Sequence, residues 1–87
     1  MKNKSITLEN NTEHQYRYRV VIYRDADGVY IAECPALEGC VTDGATFEEA
    51  LVQIKDAVRV YVGSLIELGR PIPQEEDVFE GVVSVTL

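Results

Sequence analysis

At Thr46 the period of the apolar residues changes, and this change constrains the fold more than any other feature of the chain. Before it, β-branched and aromatic residues come in short runs, Arg19 to Arg24 and Val29 to Cys34, with the alternation of half-buried strands. After it, Phe47, Ala50, Leu51, Ile54, Ala57, Val58, Tyr61, Val62, Leu65 and Ile66 recur three and four residues apart. Glu48, Gln53, Lys55, Asp56 and Arg59 fill the other side, so the pattern is that of one long amphipathic helix. Thr46 supplies an N-cap oxygen, Glu49 completes a capping box, and Glu48 adds negative charge at the positive end of the helix dipole. Gly69, followed by Pro71 and Pro73, ends the helix.

The two earlier runs form a hairpin around Asp25-Ala26-Asp27-Gly28, where Gly28 can take a positive φ at little steric cost. In the first strand Tyr16, Tyr18, Val20 and Ile22 share the face that reads as core. Arg17, Arg19, Val21 and Tyr23 share the other. A four-residue loop from Asp25 to Gly28 sets Ile22 opposite Ile31, and a two-residue loop of Asp27 and Gly28 sets Arg24 opposite Ile31. Both even-length loops group Val29, Ile31 and Glu33 with the core face and Tyr30, Ala32 and Cys34 with the second face. An odd-length loop exchanges the partners. On an even-length loop Val21, Tyr23, Tyr30 and Ala32 gather beside Arg17 and Arg19, a surface too apolar to be left in water. These six residues are the candidates for self-association into a homodimer or larger oligomer, with aromatic and arginine side chains favoured at such an interface. The alternative cover is an N-terminal arm, residues 1–15, contributing Ile6 and Leu8.

Pro35 ends the second strand by withholding an N–H, and Gly39 to Thr42 can form a third before the Asp43-Gly44 turn. Beyond the helix, Val82 to Leu87 has the composition of a final strand. The expected order is β-β-β-α-β, an α+β fold with one mainly antiparallel sheet and the helix on one face. The last strand is expected to return beside the first and parallel to it. Residues 16–87 then make a single domain after the arm of residues 1–15.

A chain of 87 residues has room for one modest core and no deep cleft between domains. Its net charge of −7 is uneven: residues 1–24 carry +3 and residues 25–87 carry −10. An acidic surface disfavours nucleic acid and favours solubility or a basic protein partner. No apolar run reaches the roughly 18 residues that a membrane span needs. Lys2 and Lys4 lead into Asn10, Asn11 and Thr12 rather than the apolar core of a signal peptide, so the expected compartment is the cytoplasm. There the two cysteines, Cys34 and Cys40, are expected to be thiols acting as small buried hydrophobes. With His14 the lone histidine, neither a zinc site nor a Ser-His-Asp triad is supported. Two-metal hydrolysis needs converging carboxylates, and the first strand has none between Tyr16 and Arg24. Asp25 and Asp27 are accounted for by the turn and Glu48 and Glu49 by capping, so no catalytic residue, metal ligand or cofactor site is assigned.

The order of these parts is itself informative. The Asp27-Gly28 turn leads into Val29-Tyr30-Ile31-Ala32-Glu33, then Pro35-Ala36-Leu37-Glu38-Gly39-Cys40, then Asp43-Gly44 and a helix opening Thr46-Phe47-Glu48-Glu49-Ala50. Over about Tyr18 to Pro73 this resembles the HicB-like family, whose members include antitoxins of bacterial toxin-antitoxin pairs. The resemblance implies a partial ribonuclease H-like fold and a non-catalytic protein that masks a small basic HicA-type ribonuclease toxin. Asp25, Asp27, Glu33 and Glu38 are the candidate partner-binding residues. Many similar proteins continue into a ribbon-helix-helix or helix-turn-helix module that binds operator DNA. Here only 14 residues follow Pro73, with no Lys or Arg among them, so no direct DNA binding is expected. The competing expectation is a self-assembling accessory protein of the same fold without a toxin.

Overall fold

The computed structural model describes residues 15–87 except 76 and 78, so the anticipated arm lies, but for its last residue, outside the described residues. Three strands, β1 (Val21–Arg24), β2 (Tyr30–Glu33) and β3 (Val41–Gly44), precede one helix, α1 (Phe47–Leu68). The strands form a single antiparallel sheet with β2 in the middle. The helix packs on one face, chiefly over β3 and β2, and barely reaches β1. This is the α+β arrangement that the change of period at Thr46 requires.

Both helix ends are closed by their own sequence. The Glu49 amide donates to Thr46 Oγ1 at 3.0 Å, and Glu49 Oε1 accepts from the amide of Ala45 at 2.8 Å, one residue earlier than in a standard capping box. Gly69 adopts the left-handed conformation at φ 67°. Its amide donates to Ile66 O at 3.1 Å and that of Arg70 to Leu65 O at 2.9 Å, the paired bonds of a Schellman motif.

The core is assembled from Ala32 in the sheet, Ala50, Ile54 and Val62 on α1, and Cys34, Leu37 and Cys40 between β2 and β3. Leu37 lies in a connection, yet it is only 1% exposed. Two successive turns fold it inward, since its amide donates to Cys34 O and its carbonyl accepts from the Cys40 amide, each at 3.0 Å. Both cysteines are free thiols buried in this cluster.

The hairpin has an odd-length loop, which corrects the register expected from either even one. Ile22 pairs with Ala32 and Tyr23 with Ile31. The cause is local: Gly28 N donates to Asp25 O at 3.0 Å in a tight turn, Gly28 takes φ 84°, and Asp25 N then donates to Val29 O at 2.9 Å. A turn followed by one left-handed glycine closes a three-residue loop, Ala26 to Gly28. Tyr30 and Ala32 therefore belong with Ile22 on the helix side. Ile31 and Glu33 move to the open side.

Two further expectations are corrected. Phe47, Leu51 and Ile66 belong to the apolar stripe by spacing, but they are 48%, 42% and 53% exposed because the three-stranded sheet is narrower than the apolar face of the helix. Val82 to Leu87 joins no strand of this sheet, and its residues are all exposed. A strand exists through its ladder, and among the described residues this segment has none.

Candidate interaction surface

The sheet face turned away from α1 is a small grid set by the register. Val21, Glu33 and Val41 lie in one row across β1, β2 and β3, and Tyr23, Ile31 and Asp43 in the next. Side chains alternate along a strand, so these six point away from the helix together. Val21, Tyr23 and Val41 are 38%, 45% and 53% exposed, leaving an apolar centre open to water. The Tyr23 hydroxyl donates to Glu33 Oε2 at 2.6 Å across the diagonal, fixing both side chains. That bond to the carboxylate, with some loss of hydration, holds the phenol above its usual pKa, so it stays a neutral donor.

Of the residues proposed for self-association, the structure keeps Val21 and Tyr23 on this face and removes two. Ala32 is fully buried beneath α1, and Tyr30 is half-buried on the same side with the Arg24 guanidinium 5.3 Å from its ring centre. Arg17 is exposed ahead of β1. Arg19 is half-buried, its amide donating to Glu75 Oε1 at 2.7 Å and its guanidinium 3.8 Å from Glu80. Among the proposed partner-binding carboxylates, Asp25 is committed to the turn, because Oδ1 accepts from the amides of Asp27 and Val29 at 2.9 and 3.0 Å. Asp27 is exposed at the hairpin tip and Glu38 in the Pro35–Gly39 connection. Glu33 lies beside Tyr23, so residues assigned to two separate surfaces occupy one. Ile31, Val41 and Asp43 were missed. An Asp at the first position of a tight turn and Gly at the fourth was the available signal, since it permits the odd loop that brings them forward.

Among the described residues no three His, Cys, Asp or Glu side chains gather as a metal site would require. No helix is long and apolar enough to cross a membrane. The arrangement is suited to binding a macromolecular surface.

A family profile described as the HicB-like antitoxin of bacterial toxin-antitoxin systems matches residues 18–84. The chain belongs to the HicB-like antitoxin family. It is 44% identical over 61 residues to a UPF0150 protein of Synechocystis, an alignment covering 70% of this chain and 77% of that one. It is 46% identical over 59 residues to a UPF0150 protein of Thermoplasma acidophilum, covering 68% and 86%. The HicB-like match thus contains all three strands, the whole helix and the open sheet face, and it runs beyond Pro73 to residue 84. Membership implies a role in a toxin-antitoxin system.

Proposed function

We propose that this chain is the antitoxin of its pair, binding and masking a small basic HicA-type ribonuclease toxin through the open sheet face, without catalysis of its own. The observation that carries the proposal is the exposed apolar centre of Val21, Tyr23 and Val41 around half-buried Ile31, flanked by Glu33 and Asp43 on a chain of net charge −7. An apolar centre with a charged rim is the anatomy of a protein interface, and its negative sign complements a basic partner. Masking requires only that the toxin's substrate surface be covered. Asp27 and Glu38, both exposed, extend the negative field beyond the grid and steer the encounter. The protein acts in the cytoplasm as a homo-oligomer, and the net charge of −7 on these 87 residues disfavours their binding operator DNA directly.

Co-expression with the product of the adjacent reading frame tests this. A short basic protein should co-purify with the chain, lose its ribonuclease activity when bound, and associate more slowly as salt is added. Retrieval of operator DNA by the isolated chain, or an adjacent ribonuclease that stays fully active in its presence, would contradict it.

A further inference from the structure

We infer that Val82–Leu87 is the fourth strand of a second copy's sheet: two chains exchange these segments reciprocally, each adding its own to the open β1 edge of the other. The inference rests on the self-association proposed above and specifies its route. It does not depend on the toxin.

The segment reads as a strand by itself. Val83, Val85 and Leu87 alternate with Val82, Ser84 and Thr86, the pattern of a strand with one apolar face. Yet Val82, Val83, Val85 and Leu87 are each at least 76% exposed, an unusual setting for four apolar side chains in six residues. The family match, ending at residue 84, includes the first half of the segment.

The receiving edge is on the same molecule. Asp25 N donates to Val29 O, so in the antiparallel ladder the odd residues of β1 turn their backbone groups to β2. Ile22 and Arg24 therefore turn theirs outward, where among the described residues no strand pairs with them. Beside this edge, on the helix side, runs a groove lined by Tyr18, Val20, Leu51 and Val58. It is open because α1 lies chiefly over β3 and β2. A strand added to β1 would lay Val83, Val85 and Leu87 into that groove and widen the sheet under Leu51, which the three strands leave 42% exposed.

A second copy is the occupant favoured over the chain's own tail or a foreign strand. The connection from α1 is held beside residues 18 and 19 by Tyr18 Oη donating to Pro73 O at 2.5 Å, Arg19 N donating to Glu75, and the Arg19–Glu80 contact. From that anchorage the tail leaves its own β1 edge unpaired. Residues 81–87 carry no charge, so nothing in them selects a basic partner. Each chain offers one strand and, among the described residues, a β1 edge without a partner, and a two-fold pair joins the two reciprocally. β3 is the less suitable edge, lying two strand spacings, about 10 Å, from β1 where the tail is anchored. Exchange at the β1 edge also leaves the open sheet face free for the toxin.

Sedimentation equilibrium of the purified chain without any partner tests this, together with a Val83→Pro/Ser84→Pro variant. Adjacent prolines remove one N–H facing each way, so the ladder is broken in either register. The parent should have twice the mass of a 9.7 kDa chain and the variant the mass of one, with unchanged helical circular dichroism. Hydrogen exchange of the unaltered chain gives a second readout that requires no substitution. The Ile22 and Arg24 amides should be protected at high concentration and lose protection on dilution. A monomeric parent would overturn both the exchange and the self-association. A dimer that survives the substitutions, or protection at Ile22 and Arg24 that does not depend on concentration, would overturn the exchange alone.

Discussion

A β-carbon placed on Gly44 would lie 2.6 Å from the backbone nitrogen of Ala50. Gly44 closes β3, Ala50 is the first buried residue of α1, and sheet and helix meet here backbone to backbone. Ala50 cannot recede easily, because its amide donates to Thr46 O at 3.0 Å within the capped first turn. Gly44→Ala should therefore destabilise the fold by about 1–3 kcal/mol, the usual cost of forcing extra atoms into a packed interior. Urea denaturation at neutral pH checks this, and a midpoint equal to that of the parent would mean that the helix can shift freely on the sheet.

The helix gives a paired prediction. Ile54 is 1% exposed whereas Leu51, three residues earlier, is 42% exposed. In the isolated monomer Ile54→Ala should cost about 2–5 kcal/mol and Leu51→Ala well under half of that. Measured on the proline variant, which keeps the chains apart, equal losses at the two positions would contradict the helix orientation.

The helix, its caps and the hairpin were legible because each depends on residues close together in sequence. Thr46 with Glu49, and Gly69 before Pro71, act over a single turn. The sheet faces were less legible because they depend on one residue of loop length. Asp25 and Gly28 close a three-residue loop in which Val29 is already paired, and this transfers Tyr30 and Ala32 to the core and Ile31 and Glu33 to the open side. The exposure of Leu51 could not be read from its spacing, since the helical stripe records the width of an apolar face and not the width of the sheet beneath it. Val82–Leu87 has strand composition, but composition does not say which chain supplies the partner.

The thiols predict a pH dependence. Burial, and for Cys34 also the neighbouring Cys40, raises both above the usual thiol pKa. A group raised on folding contributes stability that is complete below its unfolded pKa, about 8.5 for cysteine, and lost as pH rises through the folded value. Stability should be level from neutral pH to about 8 and fall above it, with part of that fall removed in a Cys34→Ala/Cys40→Ala variant. Alkylation of the native chain should also be slower than that of the urea-unfolded chain at the same pH. Equal alkylation rates would mean that the thiols are not buried.

In the proposed complex the toxin is held on the open sheet face. Tyr23 stands in that face with its hydroxyl on Glu33, and Tyr23→Lys/Glu33→Lys replaces this pair with charges of the sign expected on the partner. Removing a central interface residue costs about 2 kcal/mol or more, roughly 30-fold in affinity, and the like charges add to it. The decisive measurement is titration of the toxin's ribonuclease activity with the parent chain and with this variant. The account predicts inhibition by the parent, inhibition weakened at least roughly 30-fold for the variant, and an unchanged dimer mass for both. Equal inhibition by the two chains would place the toxin on another surface and contradict the account.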